Sequence, residues 1–488
     1  MYLIASLILL AIVLVARLAN KWRVPLVVIS LFAGILFGSD VAGIIYFDNA
    51  LLARQIADFA LIFVLFIGGF GTDQNKLKPV LKPALVMATI GVIITAIITA
   101  LSLSIFLKYD LVYAFLIGCI ISSTDAAAVF SILRSRSLDK KLSSMVEIES
   151  ATNDPMAIVL TLFAVQLVVA QTTNPLAIGG SFFWQISGGI IVGIVTGKAG
   201  GILFQYVKVL DKGYFYVFLI SVILFSYGMA DLVNASGMLS AFFSGYFMGN
   251  SNIPYKKTLS TLLEAISTIA NVVIFVMLGL LVFPHEFGNV YLEGIFLFIT
   301  LTLIARPLSV FCCTLFSKFN FKDKVFISWS GLRGAVPIVL ATYPLAAGIE
   351  NSRGIFNIVF FAVVLSMVIQ GSSIKKVADW LRLAVKAKPE PKQIMELVTL
   401  HKSDLELIEL QIDEELYDGK ILISSLRLPE GTTITMINRN EKIIAPQGST
   451  KIFPGDVLYI LVKNEMIEMV VSNILKHFDQ KKYAINET

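Results

Sequence analysis

The chain contains little charge for its length. Of its 488 residues only 15% are Asp, Glu, Lys or Arg, whereas 57% are hydrophobic, and the mean hydropathy is +0.81. Soluble globular domains carry about 25% charged residues, so the composition excludes that class. It indicates a polytopic membrane protein, because about thirteen apolar stretches of the roughly 20 residues that a spanning helix needs fit between Met1 and about Ile374.

Cysteine and histidine are also scarce. Cys119 lies in an apolar segment and Cys312 is adjacent to Cys313, an arrangement that indicates neither a disulfide framework nor a metal site. Three histidines cannot form a convincing metal cluster, and His285 is expected to be a surface residue of a loop. No cofactor is therefore expected.

Lysine and arginine concentrate in alternate loops between the apolar stretches. One set of loops holds Arg17, Lys21, Arg23, Lys76, Lys78, Lys82, Arg134, Arg136, Lys140, Lys141, Lys208, Lys212, Lys256, Lys257, Lys318, Lys322 and Lys324. The other set holds little beyond Arg54, Lys108 and Arg353. Because short cytoplasmic loops collect basic residues, this predicts a multi-pass protein of the plasma or inner membrane with its N-terminus outside and its C-terminus in the cytoplasm.

Two further expectations follow from the same distribution. Residues 2 to 16 have no basic region before them, so we expect a retained helix and not a secretory signal. The loop bias accounts for the net charge of +5, so no nucleic-acid partner is expected.

Two apolar segments are interrupted by residues that weaken a membrane helix. The fifth segment, about 111 to 133, contains the run Ser122-Ser123-Thr124-Asp125, and the twelfth, about 325 to 347, contains Gly331-Leu332-Arg333-Gly334-Ala335-Val336-Pro337. Backbone groups freed within a membrane must be satisfied by protein or by a polar cavity. The breaks are seven segments apart, an odd offset, which predicts inverted repeats whose interrupted helices meet near the midplane.

The end of the chain differs from the rest. Residues 377–403 are predicted to be a basic cytoplasmic linker, and residues 404–488 to form a small domain with strands at about 405–412, 432–437 and 457–462 and a final helix at about 465–477. No G-x-G-x-x-G run supports a dinucleotide-binding unit. The predicted fold class is thus an α-helical polytopic membrane domain, residues 1–376, with inverted repeats and two broken helices, plus a small cytoplasmic α+β domain.

Polar residues of the sixth segment carry the predicted chemistry. Glu149 and Asn153 are four residues apart on a helix, as are Ser150 and Asp154, so the four side chains line about half of its circumference. A charge at bilayer depth costs on the order of 3 kcal/mol, so it usually marks an ion path, a proton relay or a buried pair. A carboxylate that holds either a cation or a proton makes their binding mutually exclusive, which is antiport.

Each of these residues has a distinct expected role. Asp154 and Asn153 are the predicted catalytic pair, and Asp154, Ser150, Thr124 and Asp125 the predicted ligands of a monovalent cation. Thr124 and Asp125 could instead be a polar loop at the end of a shorter helix.

Buried arginine needs an acidic partner, because it cannot be deprotonated. For Arg333 we expect Glu149 as the partner in a structural ion pair, leaving Asp154 free to titrate. The alternative is a structural bridge between Asp154 and Arg333 with no ion bound. Asn271 and Arg306 are expected either to line the ion path or to join helices.

At these residues the chain resembles the sodium/proton exchanger branch of the monovalent cation:proton antiporters. The most specific matches are Glu149 through Asn153-Asp154, Thr124-Asp125 and the run Gly331 to Pro337; weaker ones are Val24-Pro25 leading to Gly34 and Gly38, Ser236-Gly237 leading to Gly245 and Gly249, and Asn271 leading to Phe275 and Gly279. The resemblance implies a transporter and not an enzyme, a homodimer in the lipid bilayer, elevator-like movement of a core domain and electroneutral exchange at Asn153-Asp154. One departure is Ile67, where relatives often carry an acidic residue.

The tail resembles the C-terminal domain of potassium-conductance regulators. The matching positions are Gly419-Lys420, Leu428-Pro429, Gly431, Arg439, Pro446, Gly448 and Gly455-Asp456. A bacterial potassium/proton antiporter subfamily carries such a tail, so the resemblance favours potassium over sodium and implies a small-molecule or nucleotide ligand on the tail. Two other classes stay open: a regulated channel, although no T-V-G-Y-G-like filter is present, and an organic-anion symporter, which would not require Asp154 facing Arg333.

Overall fold

The computed structural model describes most of the chain. It covers residues 26–74, 80–133, 136–169, 175–206, 212–383, 385–386, 393–396, 405–412, 421–426, 428–439 and 442–478, together with positions 6, 10, 12, 13, 15 and 78. The predicted loop cations Arg17, Lys21, Arg23, Lys76, Arg134 and Lys208 lie outside these residues. The chain divides into two compact units, Met1–Val385 and Lys386–Thr488.

The first unit is built of helices. They are α1 (Leu26–Phe37), α2 (Ala50–Gly71), α3 (Leu81–Leu107), α4 (Leu111–Ile120), α5 (Ala126–Ile132), α6 (Lys140–Val169), α7 (Pro175–Tyr206), α8 (Lys212–Leu232), α9 (Gly237–Gly249), α10 (Lys256–Leu280), α11 (Tyr291–Cys313), α12 (Phe321–Trp329), α13 (Ala335–Ala346) and α14 (Ser352–Trp380). Among the described residues, eight helices are long and apolar enough to cross a membrane, namely α2, α3, α6, α7, α8, α10, α11 and α14. These elements correspond to the second to thirteenth predicted segments.

Both predicted helix breaks are present. The fifth segment is split into α4 and α5, and the twelfth into α12 and α13. Asp125 begins α5, where its Oδ1 accepts a hydrogen bond from the backbone N–H of Ala128 at 3.0 Å. The breaks touch, because the Asp125 N–H donates to the carbonyl oxygen of Leu332 at 2.7 Å. One freed N–H and one freed carbonyl group therefore satisfy each other.

The membrane helices pack in two groups. The first bundle contains α1, α2 and α7 to α10, and the second contains α3 to α6 and α11 to α14. Glycine permits close backbone approach within the first bundle: a Cβ added at Gly69 of α2 would lie 2.0 Å from the Phe242 carbonyl oxygen of α9. A polar contact connects the two bundles: the Tyr343 hydroxyl of α13 donates to Asp58 Oδ1 of α2 at 2.6 Å.

Three helices of the second bundle contain a π turn. The turns are Met87–Gly91 in α3, Leu301–Ala305 in α11 and Ser366–Gln370 in α14. Such insertions are rare in α-helices as a whole, but those that occur often lie at functional sites.

The second unit is a small α+β domain. Its five-stranded sheet has the order β3-β4-β9-β6-β7, with β3 (Gln393–Glu396), β4 (Leu405–Gln411), β6 (Thr433–Arg439), β7 (Lys442–Ile444) and β9 (Val457–Lys463). The remaining elements of the chain are β1 (Arg136–Ser137), β2 (Val385–Lys386), β5 (Ile421–Leu422), β8 (Lys451–Ile452), the 3₁₀ turns Pro284–Asn289, Ile423–Leu426 and Asn464–Met466, and α15 (Ile467–Phe478). The three predicted strands and the final helix coincide with β4, β6, β9 and α15.

The predicted linker contains more structure than expected. Helix α14 continues to Trp380, and β3 pairs antiparallel with β4 at the edge of the sheet. An added edge strand satisfies backbone groups of β4 that the sheet would otherwise leave unpaired, which explains why this polar stretch is extended.

An ion pair between a half-buried arginine and a buried aspartate joins two parts of the tail. Arg439 donates from Nε and Nη2 to the two carboxylate oxygens of Asp456, both at 2.8 Å, and Asp456 is fully buried. The hydrogen bonds from Arg439 to Asp456 raise the pKa of the arginine. The bidentate pair fixes the turn before β9.

Candidate functional site

Helix α6 carries the polar residues that the sequence predicts for the site. Glu149, Ser150 and Asn153 are buried, at 2%, 6% and 0% exposure, although they lie in a polar stretch of the helix. Asn153 donates from Nδ2 to Thr124 Oγ1 at 2.7 Å and to Glu149 Oε1 at 3.0 Å. Its amide therefore ties α6 to the break between α4 and α5.

Ser150 makes a second connection to the same break. Its hydroxyl donates to the Thr124 carbonyl oxygen at 2.8 Å and accepts from the Ala126 N–H at 2.9 Å. Both partners are backbone groups that a continuous helix would have paired internally. The structure thus brings Asn153, Ser150, Thr124 and Asp125 together around the start of α5.

Asp154 faces the same region but is bonded differently. It is half-buried, and its Oδ1 is shielded from solvent with no hydrogen-bond partner among the described residues. Its charged neighbours are Asp125, Glu149 and Arg333. A shielded carboxylate oxygen without a partner is costly, so this atom is the least satisfied acceptor of the cluster.

Glu149 pairs with Arg306, which corrects the predicted pair with Arg333. Arg306 donates from Nη1 to Oε1 at 3.0 Å and from Nη2 to Oε2 at 2.8 Å. The π turn of α11 ends immediately before Arg306 and a Cβ at Gly331 would lie 2.5 Å from its Nε, so the guanidinium fits only beside a glycine. Arg306 thereby connects α11 to α6.

Arg333 instead donates hydrogen bonds to backbone carbonyls at the break in the fifth segment. It is fully buried and donates from Nη1 to the Ser122 carbonyl oxygen at 2.7 Å and to that of Ser123. Its Nε and Nη2 have no hydrogen-bond partner within the described part of the chain, so neither Glu149 nor Asp154 forms a bidentate pair with it. The physical reason is that carbonyls at the end of a half-helix carry negative partial charge and attract a cation.

Two other sequence candidates lie outside this cluster. Asn271 is on α10 in the first bundle, where its Nδ2 donates to Ser267 Oγ at 3.4 Å. Ile67, on α2, is half-buried and packs against the apolar core of the membrane unit. The described contacts bring neither residue to Asp154.

Sequence reasoning missed several polar residues that the structure places beside the breaks or between the bundles. Ser366 and Gln370 of α14 are buried and contact the twelfth-segment break. Asp58 and Tyr343 join the two bundles. The sequence contained a clue to each pair. Ser366 and Gln370 are four residues apart in an apolar stretch, and Asp58 is an acidic residue in another apolar stretch.

Comparison with known proteins supports the architecture. The family model for the sodium/hydrogen exchanger, transmembrane, matches residues 6–380, and that for the TrkA-C domain matches residues 407–475. The K(+)/H(+) antiporter NhaP2 of Shewanella oneidensis is 34% identical over 478 residues, which is 97% of this chain and 83% of the relative. The K(+)/H(+) antiporter NhaP of Alkalimonas amylolytica is 34% identical over 393 residues, 80% of this chain and 68% of the relative.

A solved structure has the same fold. The sodium proton antiporter MjNhaP1 from Methanocaldococcus jannaschii is 25% identical, with a TM-score of 0.67, and the likeness covers 77% of this chain and 97% of that one. The exchanger match spans most of the chain and the broken-helix crossing lies inside it. The chain therefore belongs to the sodium/hydrogen exchanger family, as a multi-pass cation/proton antiporter and not an enzyme, with a TrkA-C domain at its C-terminal end.

Proposed function

We propose that a proton and a monovalent cation compete for Asp154. The observation that carries this proposal is the Oδ1 atom of Asp154. It is shielded from solvent and has no hydrogen-bond partner among the described residues, although the rest of the side chain is partly accessible. A carboxylate in this condition is stabilised either by taking a proton or by coordinating a cation. Because it cannot do both, binding of one ion releases the other.

The neighbouring oxygens fit a cation. The hydroxyls of Ser150 and Thr124 each use one lone pair as acceptor, for Ala126 N and Asn153 Nδ2 respectively, and keep a second. Asp125 adds a carboxylate within electrostatic range of Asp154. Hard monovalent cations prefer such oxygen ligands, so Asp154, Ser150, Thr124 and Asp125 form the proposed cation site.

Glu149 has a different role, because its charge is already compensated. Arg306 occupies both of its carboxylate oxygens, and the pair is buried. Asp125 caps the start of α5, where its Oδ1 accepts the Ala128 N–H, so Asp154 is the carboxyl proposed to exchange one proton for one monovalent cation. This supports electroneutral exchange, in which the charge carried in each direction is the same.

Alternating access is proposed to come from movement of the second bundle against the first. Both helix breaks and the whole of the proposed cation site belong to the second bundle. The contact between Tyr343 and Asp58 crosses the boundary, where Arg54 lies 3.4 Å from Asp58 and over the Tyr343 ring at 4.1 Å. Sliding of the bundles breaks this contact and re-forms it once per cycle.

Other features of the proposal rest on the relatives and on the loop charges. The names of two relatives support potassium as the favoured cation, with sodium as the alternative that the family description and MjNhaP1 support. The proposed setting is a homodimer in the plasma membrane, with the N-terminus outside and the C-terminus cytoplasmic. The TrkA-C domain is proposed to bind a small molecule or nucleotide that regulates exchange.

Exchange in liposomes tests the function. Purified protein is reconstituted with an internal pH dye and challenged with potassium, sodium and lithium chloride, with choline chloride as the control for chloride. Asp154→Asn keeps the volume of the side chain but can neither take up a proton nor neutralise a cation, so it should abolish cation-driven proton flux. Asp231→Asn, at the exposed end of α8, is the matched control and should transport normally. Substantial flux in folded Asp154→Asn protein would remove Asp154 from the central role.

A further inference from the structure

The π turn of α14 lies against the break in the twelfth segment. Its first and last residues, Ser366 and Gln370, are polar although they are 0% and 2% exposed. The π turn adds one residue to a turn of α-helix, which changes the direction of the side chains that it carries. In α14 it points a hydroxyl and an amide at the broken helix.

These two side chains hold both ends of the break. The backbone N–H of Arg333 donates to Ser366 Oγ at 3.1 Å, and Gln370 Nε2 donates to the Trp329 carbonyl oxygen at 3.1 Å. Ser366 in turn donates its hydroxyl hydrogen to Gln370 Oε1 at 2.5 Å. Every polar group in this chain of bonds has a defined donor or acceptor role, so the orientation of the amide is fixed.

The break in the twelfth segment is hydrogen-bonded to the break in the fifth segment. Leu332, directly before Arg333, accepts the Asp125 N–H at 2.7 Å, and the Arg333 guanidinium donates to the Ser122 carbonyl oxygen at 2.7 Å. Arg333 is also the cationic neighbour within electrostatic range of Asp154. Displacement of the twelfth-segment backbone therefore changes both the ligand geometry and the local potential at Asp154.

We propose that Ser366 and Gln370 are positioning residues for the exchange site, which set the location of Arg333 relative to Asp154 by holding the two ends of the broken twelfth segment. They touch neither ion. The proposal rests on the proposed function, since it assigns them an effect on competition between proton and cation at Asp154.

A purely structural role and a positioning role have different consequences. Loss of a structural contact lowers the amount of folded transporter or its stability and leaves the behaviour of each remaining molecule unchanged. Loss of a positioning contact changes the electrostatic potential at the Asp154 carboxyl. It therefore alters the cation concentration that gives half-maximal rate and the pH at which exchange is half-maximal. These two quantities do not depend on the amount of active protein.

The test measures both quantities in proteoliposomes. Ser366→Ala and Gln370→Met remove the hydroxyl and the amide, and Ser366→Thr keeps the hydroxyl. Because a hydrogen bond contributes about 1 kcal/mol, a change of roughly fivefold in the apparent KM for the cation is expected in the first two variants. The pH midpoint should shift in the same variants, and Ser366→Thr should restore values near wild type. Ser102→Ala is the matched control and should behave as wild type, because the buried Ser102 hydroxyl donates to the Ile98 carbonyl of its own helix and has no other partner among the described residues.

The outcomes separate the inference from the function on which it rests. Absence of cation-driven flux in wild-type protein would overturn the proposed function. Normal wild-type exchange with unchanged KM and pH midpoint in folded Ser366→Ala and Gln370→Met would overturn this inference alone. If these variants do not fold, Ser366→Cys keeps the size of the side chain but replaces the hydroxyl by a thiol, which is a weak donor and a weak acceptor, and an unchanged profile there would be equally contradictory.

Discussion

Arg306 donates two hydrogen bonds to Glu149, one to each carboxylate oxygen, at 3.0 and 2.8 Å. The side chains are 4% and 2% exposed, so the pair is almost completely removed from solvent. Glu149 also accepts from Asn153, the residue before Asp154. The pair therefore fixes α6 against α11 beside the proposed cation site, and it neutralises the charge of Glu149 there.

Disrupting this pair should destabilise the protein strongly. Arg306→Met alone leaves a buried carboxylate without its partner, which costs on the order of 3–5 kcal/mol. The double variant Arg306→Met with Glu149→Gln should lose less than the sum of the two single losses, because it leaves no unpaired charge. Unfolding of the purified protein in detergent, followed by temperature or denaturant, measures the three losses.

An exposed pair provides the control for that cycle. Arg353 lies 3.2 Å from Asp48, with side chains 42% and 38% exposed, and pairs of this kind contribute roughly 0–1 kcal/mol. Asp48→Asn should therefore change stability little. Simple additivity of the Arg306 and Glu149 losses would contradict the coupling seen in the structure.

Gly334 should be intolerant of a side chain. A Cβ at this position would lie 2.2 Å from Asp125 Oδ2, well inside van der Waals contact. Gly334→Ala should therefore displace Asp125 from the start of α5 and abolish or strongly reduce exchange. Gly68→Ala is the matched control, because nothing lies within 4 Å of a Cβ added there. Full exchange by folded Gly334→Ala protein would show that the position of Asp125 is unimportant.

Exchange should be insensitive to membrane potential. If one monovalent cation is exchanged for one proton, no net charge crosses the membrane, whereas a cycle that moves one charge gains about 2.3 kcal/mol per 100 mV. The measurement drives exchange with a sodium gradient at one fixed potassium gradient and compares the rate with and without valinomycin, because only the voltage differs between the two conditions. A rate that rises steeply with voltage would refute a one-to-one stoichiometry.

The tail should regulate exchange without carrying it. Ending the chain at Val385 removes the second unit, which contains none of the proposed cation ligands. Exchange should persist, while its response to pH, ionic conditions or a nucleotide changes, because a ligand acts only through its different affinity for two states. In the full chain, Asp456→Asn should have the same effect by weakening the ion pair with Arg439. Loss of all exchange in an inserted, dimeric truncated protein would make the tail part of the transport machinery.

The sequence alone determined the class of this protein and the location of its breaks. Long apolar runs show a membrane domain because a helix must bury about 20 apolar residues to cross the bilayer. The polar run at Ser122 to Asp125 and the glycines around Arg333 show the breaks because helix weakening is a local property of the chain. The strands of the tail were predictable for the same reason, from short alternating patterns.

Only the tertiary structure decided which charges pair. Glu149 and Arg306 are 157 positions apart, and the sequence contains a second buried arginine, Arg333, that would satisfy the same chemistry. The choice depends on where α11 crosses α6 and on the carbonyls of Ser122 and Ser123, which take the guanidinium of Arg333. The contacts of Ser366 and Gln370 were hidden in the same way, because a hydrogen-bond partner across a helix crossing is set by packing and not by local sequence.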